Sequence, residues 1–401
     1  MQIPVPAPAR SGAGREPATP AAAAPAPALP TTATEIPGTV RAPLLATASP
    51  PIATAPLPAS DPGARSSRWQ PADWSELPGL AEDHLLQAWP AWRQSCARPP
   101  PGWSELCARV QIDPPTDETT ARDWLRAHLQ PYRVEGIDGR REGLATGYFE
   151  PLLEATRRPD ARFRTPLYAP PADLASRRPF WTRQQLDTLP AAQAALRGRE
   201  IAYVDNPMDA LLLQIQGSGR LRITEPDGRV QTVRLAFAGH NDQPYRSVGR
   251  WLVEQGELKV DSASWPAIRA WAERHPRRVD QMLWVNPRFV FFREEPLADP
   301  GAGPRGAMGV PLSPGRSIAV DPQSIPFGTP VWLDTTEPLS GRPLRRLVMA
   351  QDSGGAIVGA VRADYFWGWG AEAEAQAGRM RQGLRLWVLW PRGAVPPRGG
   401  G

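Results

Sequence analysis

Lysine is nearly missing from this chain of 401 residues: Lys259 stands alone beside 45 arginines. The arginines are scattered and interleaved with acids, and the formal net charge is only +5. Without a basic stripe a nucleic-acid surface is not expected; the joint excess of Arg, Ala, Pro and Gly is the mark of a GC-rich coding sequence. Histidine and cysteine are scarce, at four and two. None of them falls in CxxC or HExxH spacing, so no metal site is expected. There is no GxxxxGK[ST] loop, no GxGxxG turn after a strand and no GxSxG elbow, which argues against nucleotide and α/β-hydrolase chemistry and leaves no cofactor to expect. No apolar run reaches the roughly 18 residues of a membrane-spanning helix. No basic segment followed by an apolar one opens the chain, so no signal peptide is visible.

Proline and glycine, by contrast, are abundant, at 50 and 35 residues. Residues 1–67 hold 15 Pro, 18 Ala and no aromatic residue, too little apolar surface to offset the entropy of ordering them, and are expected to be a disordered tail. A short tail of the same kind is expected over 393–401. Cys96 and Cys107 flank a proline-rich turn. Their spacing suits a short disulfide loop worth about 2–3 kcal/mol, in an oxidising compartment; two unpaired thiols are the alternative.

From Trp69 to Ala97 the pattern reads as helical, with Leu80, His84, Leu85, Ala88, Trp89 and Trp92 on one face. A second helix is expected after Asp117 as N-cap, with Trp124, Leu125, His128 and Leu129 as its stripe; His128 reads as packing rather than as a ligand. Residues 132–238 read as short strands, ALLLQIQGSGRLRI among them, with a hairpin about Asp227-Gly228. Helices follow through 244–285. From Asn286 onward strands return at barrel spacing, RFVFFRE first.

Carboxylates are the remaining catalytic resource. Glycoside cleavage is the reaction most naturally run by one or two of them, and tryptophan faces stack on sugars, although core packing is their commoner use. The densest cluster is AQDSGGAIVGAVRADYFWGWG, residues 350–370. Asp352 ends an apolar strand before Gly354-Gly355. It is either a turn aspartate bonded to that backbone or a functional group. Asp364 lies among Tyr365, Phe366, Trp367 and Trp369, a setting that raises a carboxyl pKa by desolvation and favours function. Asp321, before Pro322, reads as a structural turn residue, as do Gly354 and Gly355.

Six segments in order, GYFEP (147–151), QIQGSGR (214–220), PYRSVGRWL (244–252), NPRFVFF (286–292), VPLSPGRSIAVDPQSIPFGTPVWLD (310–334) and QDSGGAIVGAVRADYFWGWGAEAEAQAG (351–378), resemble the membrane-bound lytic murein transglycosylase A family. Asp321, Asp352 and Asp364 resemble the three aspartates of its 3D domain. The resemblance implies a mainly β chain: a double-psi β-barrel over 68–146 plus 241–392 with flanking helices, and a second β domain inserted at 147–240, a groove between them. It implies cleavage of the β-1,4 bond between N-acetylmuramic acid and N-acetylglucosamine of peptidoglycan without water, leaving a 1,6-anhydromuramyl end. Asp364 matches the catalytic aspartate and Asp352 its neighbour. Tyr148, Glu150, Gln216, Ser218, Tyr245 and Arg246 match the substrate groove. Glycan strands are the implied partner, with cell-wall synthesis or division complexes as a further class, in a periplasmic monomer associated with the outer membrane. The chain departs from the family in showing no lipobox cysteine in its tail. A two-carboxylate hydrolase and a non-catalytic peptidoglycan-binding protein on the same barrel remain open alternatives.

Overall fold

The computed structural model describes residues 67–396. The tail expected over 1–67, apart from Ser67, and most of that expected over 393–401 lie outside the described residues. In chain order the strands are β1 (Ser67–Pro71), β2 (Leu129–Gly136), β3 (Gly143–Glu150), β4 (Leu152–Thr156), β5 (Thr165–Tyr168), β6 (Glu200–Val204), β7 (Gly219–Thr224), β8 (Val230–His240), β9 (Val290–Pro296), β10 (Ser317–Val320), β11 (Pro330–Thr336), β12 (Pro343–Asp352), β13 (Arg362–Trp369) and β14 (Arg381–Pro391). The α-helices are α1 (Trp89–Cys96), α2 (Ser104–Ile112), α3 (Glu118–His128), α4 (Arg183–Thr188), α5 (Pro190–Leu196), α6 (Pro207–Gln216), α7 (Val248–Glu254), α8 (Trp265–Arg274), α9 (Val279–Val285) and α10 (Ala371–Ala377).

Six strands close a ring in the order β14-β11-β12-β10-β13-β3, and β3 pairs back to β14. Two pairs, β10–β12 and β13–β3, are parallel and the other four antiparallel, the mixture expected of the double-psi barrel. Period-two alternation fills its centre: Ile318, Val320, Val331, Leu333, Val348, Ala350, Ala363, Tyr365, Leu386 and Val388 share one buried cluster. β2 and β1 extend the ring from β14.

Outside the ring, α1, α2 and α3 pack on Trp332, Leu347, Met349, Trp387 and Leu389, from the outer faces of β11, β12 and β14. Trp89, Trp92 and Trp124 meet edge to face with centroids 5.1–5.2 Å apart, so these indoles serve as core rather than as sugar platforms. Asp117 caps α3 by accepting from the N–H groups of Thr119 and Thr120. Cys96, ending α1, is disulfide-bonded to Cys107 in α2, with Cα atoms 5.0 Å apart.

The second sheet has the order β5-β6-β4-β7-β8-β9, and β7 and β8 form the hairpin about Asp227-Gly228. Several sequence expectations change here, and helices α4 and α5 interrupt the stretch 132–238 that reads as strands. Of the stretch read as helical, Trp69 to Pro71 lie in strand β1, Leu80 and His84 lie outside any helix, and the α-helix begins only at Trp89. The ALLLQIQ run is α6: Asn206 accepts from Met208 and Asp209 N–H, Pro207 takes the first turn, and Gly217 closes the helix at φ 79°. An apolar run buried on nearly all sides shows no period, and these end signals are what distinguish it from a strand. Finally, β9 pairs with β8 rather than rejoining the barrel, because Val290 and Phe292 complete the core made by Ile223, Val233 and Leu235. The inserted layer therefore extends past residue 240.

Candidate active site

The site is a row of side chains across four neighbouring strands. Ala319 on β10 pairs with Asp352 on one side and with Asp364 on the other, and Asp364 pairs in turn with Thr146 on β3. Residues opposite one another in a sheet share a face, and strands lie about 4.8 Å apart, so the two aspartate Cα atoms stand roughly 10 Å apart over the small Ala319. That face is the outer one: Ala319 clusters with Tyr148, Leu312, Ile357 and Phe366, not with the barrel core.

Strict alternation would not bring Asp352 there. Ile318 pairs with Ala350, but the next residue, Ala319, pairs with Asp352, so the register skips Gln351. The extra residue is a bulge that turns Asp352 outward beside Asp364. Gln351 meanwhile points to the helical layer and donates to Ala91 O and Ser95 Oγ, both at 2.8 Å.

The two carboxylates are held differently. Asp352 accepts at both oxygens: Ala307 N–H at 2.8 Å and Ser353 N–H at 2.9 Å donate to Oδ1, and the Tyr148 hydroxyl donates to Oδ2 at 2.9 Å. Gly306 lets this loop approach, since a Cβ there would lie 2.5 Å from Gln351 O. Burial pushes Asp352 up from 3.8 to about 6, against its three donors and with a smaller push from Asp364. Asp364 accepts at Oδ1 from the Thr146 hydroxyl at 2.6 Å. Thr146 Oγ1 itself accepts from Arg362 Nη2 at 2.8 Å, so its proton is directed at the aspartate. Among the described residues nothing donates to Asp364 Oδ2. Burial raises the Asp364 pKa, opposed by the Arg362 charge and the Thr146 hydrogen bond.

Beside the row lies a cavity of about 200 Å³ lined by Thr146, Gln216, Tyr245, Ser247, Trp265 and Met380 among others. It brings β3 against α6, α8 and the end of α10. Gln216 also accepts from Phe149 N–H at 3.1 Å, which fixes its amide.

The other expected residues fall elsewhere. Tyr148, expected to touch substrate, spends its hydroxyl on Asp352 and packs its ring on Phe366 at 5.1 Å. Glu150, also expected in the groove, is fully buried: Arg220 and Arg234 donate to its two oxygens at 2.7 and 2.6 Å. Its charge belongs to the internal framework, not to a ligand surface. Ser218 is half-buried in the loop after α6, and Arg246 is exposed; neither lines the cavity. Asp321, two residues beyond Ala319, accepts from Gln323 N–H and Gly359 N–H, as a turn aspartate does. Gly354 and Gly355 form the exposed turn after Asp352. Thr146 and Arg362 were missed, although counting back by two from Tyr148 puts Thr146 on the same strand face.

Residues 144–293 match the MltA specific insert domain and residues 316–390 match the 3D domain. The chain is 33% identical over 288 residues to membrane-bound lytic murein transglycosylase A of Escherichia coli (strain K12), covering 67% of this chain and 74% of that protein. The chain belongs to the membrane-bound lytic murein transglycosylase A family. As a member it is an enzyme of the lyase class. Among solved structures, the lytic transglycosylase LtgG of Burkholderia pseudomallei is 46% identical, covers 84% of this chain and 98% of its own, and superposes with a TM-score of 0.56. E. coli MltA with bound chitohexaose is 30% identical, covers 81% and 91%, and has a TM-score of 0.61.

Proposed function

We propose that this chain cleaves the β-1,4 bond between N-acetylmuramic acid and N-acetylglucosamine of peptidoglycan without water, using Asp364 as acid and then as base. The observation that carries this reading is the asymmetry of the two aspartates. Asp352 already accepts at both oxygens, which suits a fixed supporting group. Asp364 has Oδ1 tied by Thr146 and Oδ2 without a donor, and its desolvation favours the protonated form on that oxygen.

The steps balance with one group. Asp364 Oδ2 gives its proton to the glycosidic oxygen as the C1–O bond breaks. The muramyl C6 hydroxyl oxygen bonds to C1 of the same sugar, and its proton passes to the Asp364 carboxylate, restoring the acid. The attack is intramolecular, so its effective concentration is high and no second carboxylate is needed to hold water. The binding of chitohexaose by the E. coli relative supports a groove for β-1,4-linked amino sugars. The relatives named membrane-bound support an envelope location for this chain, while no helix among the described residues is long and apolar enough to cross a membrane.

Mass spectrometry of digested peptidoglycan tests this. The wild type is expected to release muramyl products lighter than the hydrolytic ones by one water, and Asp364→Asn to release almost none. A reducing-end product would indicate the two-carboxylate hydrolase and sink the proposal.

A further inference from the structure

We infer that Arg288 binds a carboxylate carried on the lactyl arm of the muramyl sugar, so that the site distinguishes acidic glycan strands from neutral ones. The inference rests on the transglycosylase reading and extends it to the choice of strand. Arg288 lies in the short loop between α9 and β9 and is half-buried. Its backbone is pinned on both sides: its N–H donates to Asn286 Oδ1 at 3.3 Å, and its carbonyl accepts from Arg183 at 2.7 Å. Its Nε donates to Gln243 O at 2.9 Å, which fixes the plane of the guanidinium.

The two terminal nitrogens are left over. Among the described residues no carboxylate lies within salt-bridge distance of them and no acceptor receives from them, although most half-buried arginines here, such as Arg157, Arg345 and Arg385, are ion-paired. The guanidinium rests instead on the exposed turn after Asp352: a Cβ on Gly355 would lie 2.6 Å from Arg288 Nη1. Three residues of chain span at most about 11 Å, so this charge stands close to the aspartate row. It is also near enough to Tyr245, in the cavity wall, to bear on the phenol. A pre-oriented, half-desolvated guanidinium offering two parallel N–H groups is the geometry that takes a carboxylate in a bidentate pair. On a glycan strand, carboxylates hang only from the muramyl lactyl arm. They are either the lactyl acid itself or the acids of a peptide stem amide-linked to it.

The test compares Arg288→Gln and Arg288→Lys with the wild type on three ligands: peptide-bearing strands, strands stripped of peptide by an amidase, and neutral chitohexaose as a competitive inhibitor. Arg288→Gln is expected to raise KM for acidic strands about tenfold, with kcat and the chitohexaose inhibition constant within twofold of wild type. Arg288→Lys, which keeps the charge, is expected to recover part of the loss. Weakening confined to peptide-bearing strands assigns the carboxylate to the stem, and weakening confined to stripped strands assigns it to the lactyl acid. Unchanged KM on both strands, or an equal weakening of chitohexaose, overturns the inference while leaving the reaction untouched. A wild type releasing no anhydro product from either strand overturns both.

Discussion

Glu150 and Asp364 are both carboxylates removed from bulk water, and they sit at opposite ends of one scale. Glu150 is met by two arginines, whose remaining N–H groups reach Pro300 O and Ala302 O. Arg220 also lies over the Trp369 ring at 4.0 Å. Asp364 has one hydroxyl partner, and burial dominates its protonation. Glu150 is a fully compensated buried charge, whereas Asp364 is a desolvated carboxyl with one partner, the condition in which a proton is held more tightly. The pairing also spans the molecule, since Glu150 comes from a barrel strand and both arginines from the inserted sheet, so the ion cluster fastens the two layers beside the site.

Substitutions can break this contrast. The largest effect is expected from Asp364→Asn: a fall of at least about a thousandfold in anhydro-product release, with thermal stability unchanged or raised. Measured activity within tenfold of wild type would remove Asp364 from the reaction. Glu150→Gln inverts the pattern. It leaves two buried guanidinium groups short of charge and is expected to cost about 3–5 kcal/mol in denaturant unfolding. A cost below 1 kcal/mol would mean that the triad is better solvated than its burial indicates. Thr146→Val removes the hydroxyl donated to Asp364 and is expected to lower kcat about tenfold, with Thr146→Ser restoring most of it; equal losses in both variants would assign Thr146 to packing alone.

The smallest effect concerns Asp352, and here the sign is fixed by its raised pKa. The folded state binds its proton more tightly than the unfolded chain does. Its stabilising contribution is therefore full below about pH 4 and is lost as pH rises through about 6. Tyr148→Phe removes a donor that favours the ionised form, so the upper end of this window should move up, as read from stability against pH. A downward shift would contradict the hydrogen bond.

Much of this was legible from residues. The strand at Ser317–Val320 and the hairpin about Gly228 follow from alternation and turn chemistry, and the capped helix at Asp117 follows from its N-cap and apolar stripe. The cluster around Asp352 and Asp364 announced itself by its aromatic surroundings. What escaped was set by tertiary pairing. The bulge that turns Asp352 outward depends on which residue of β12 meets Ala319, and no local pattern encodes that. The same holds for Glu150: its motif lies beside the site, and only the partners brought from β7 and β8 reveal that its charge is spent. α6 was missed because its uniformly apolar run has no period to read.

The closure of β3 onto both β13 and β14 bears on how the protein is made. During synthesis, β3 emerges with both its edges bare, while its partners begin only at Arg362 and Arg381. At roughly 5–20 residues per second, the ribosome takes on the order of 10–45 seconds to supply them. For that interval an exposed strand bearing Tyr148 and Phe149 waits as a template for foreign strands. The inserted sheet, whose strands all precede β10, can be complete well before the ring. A ribosome pausing between Pro296 and Arg362 would lengthen the vulnerable interval, and a chaperone acting on this nascent chain would find its substrate in β3.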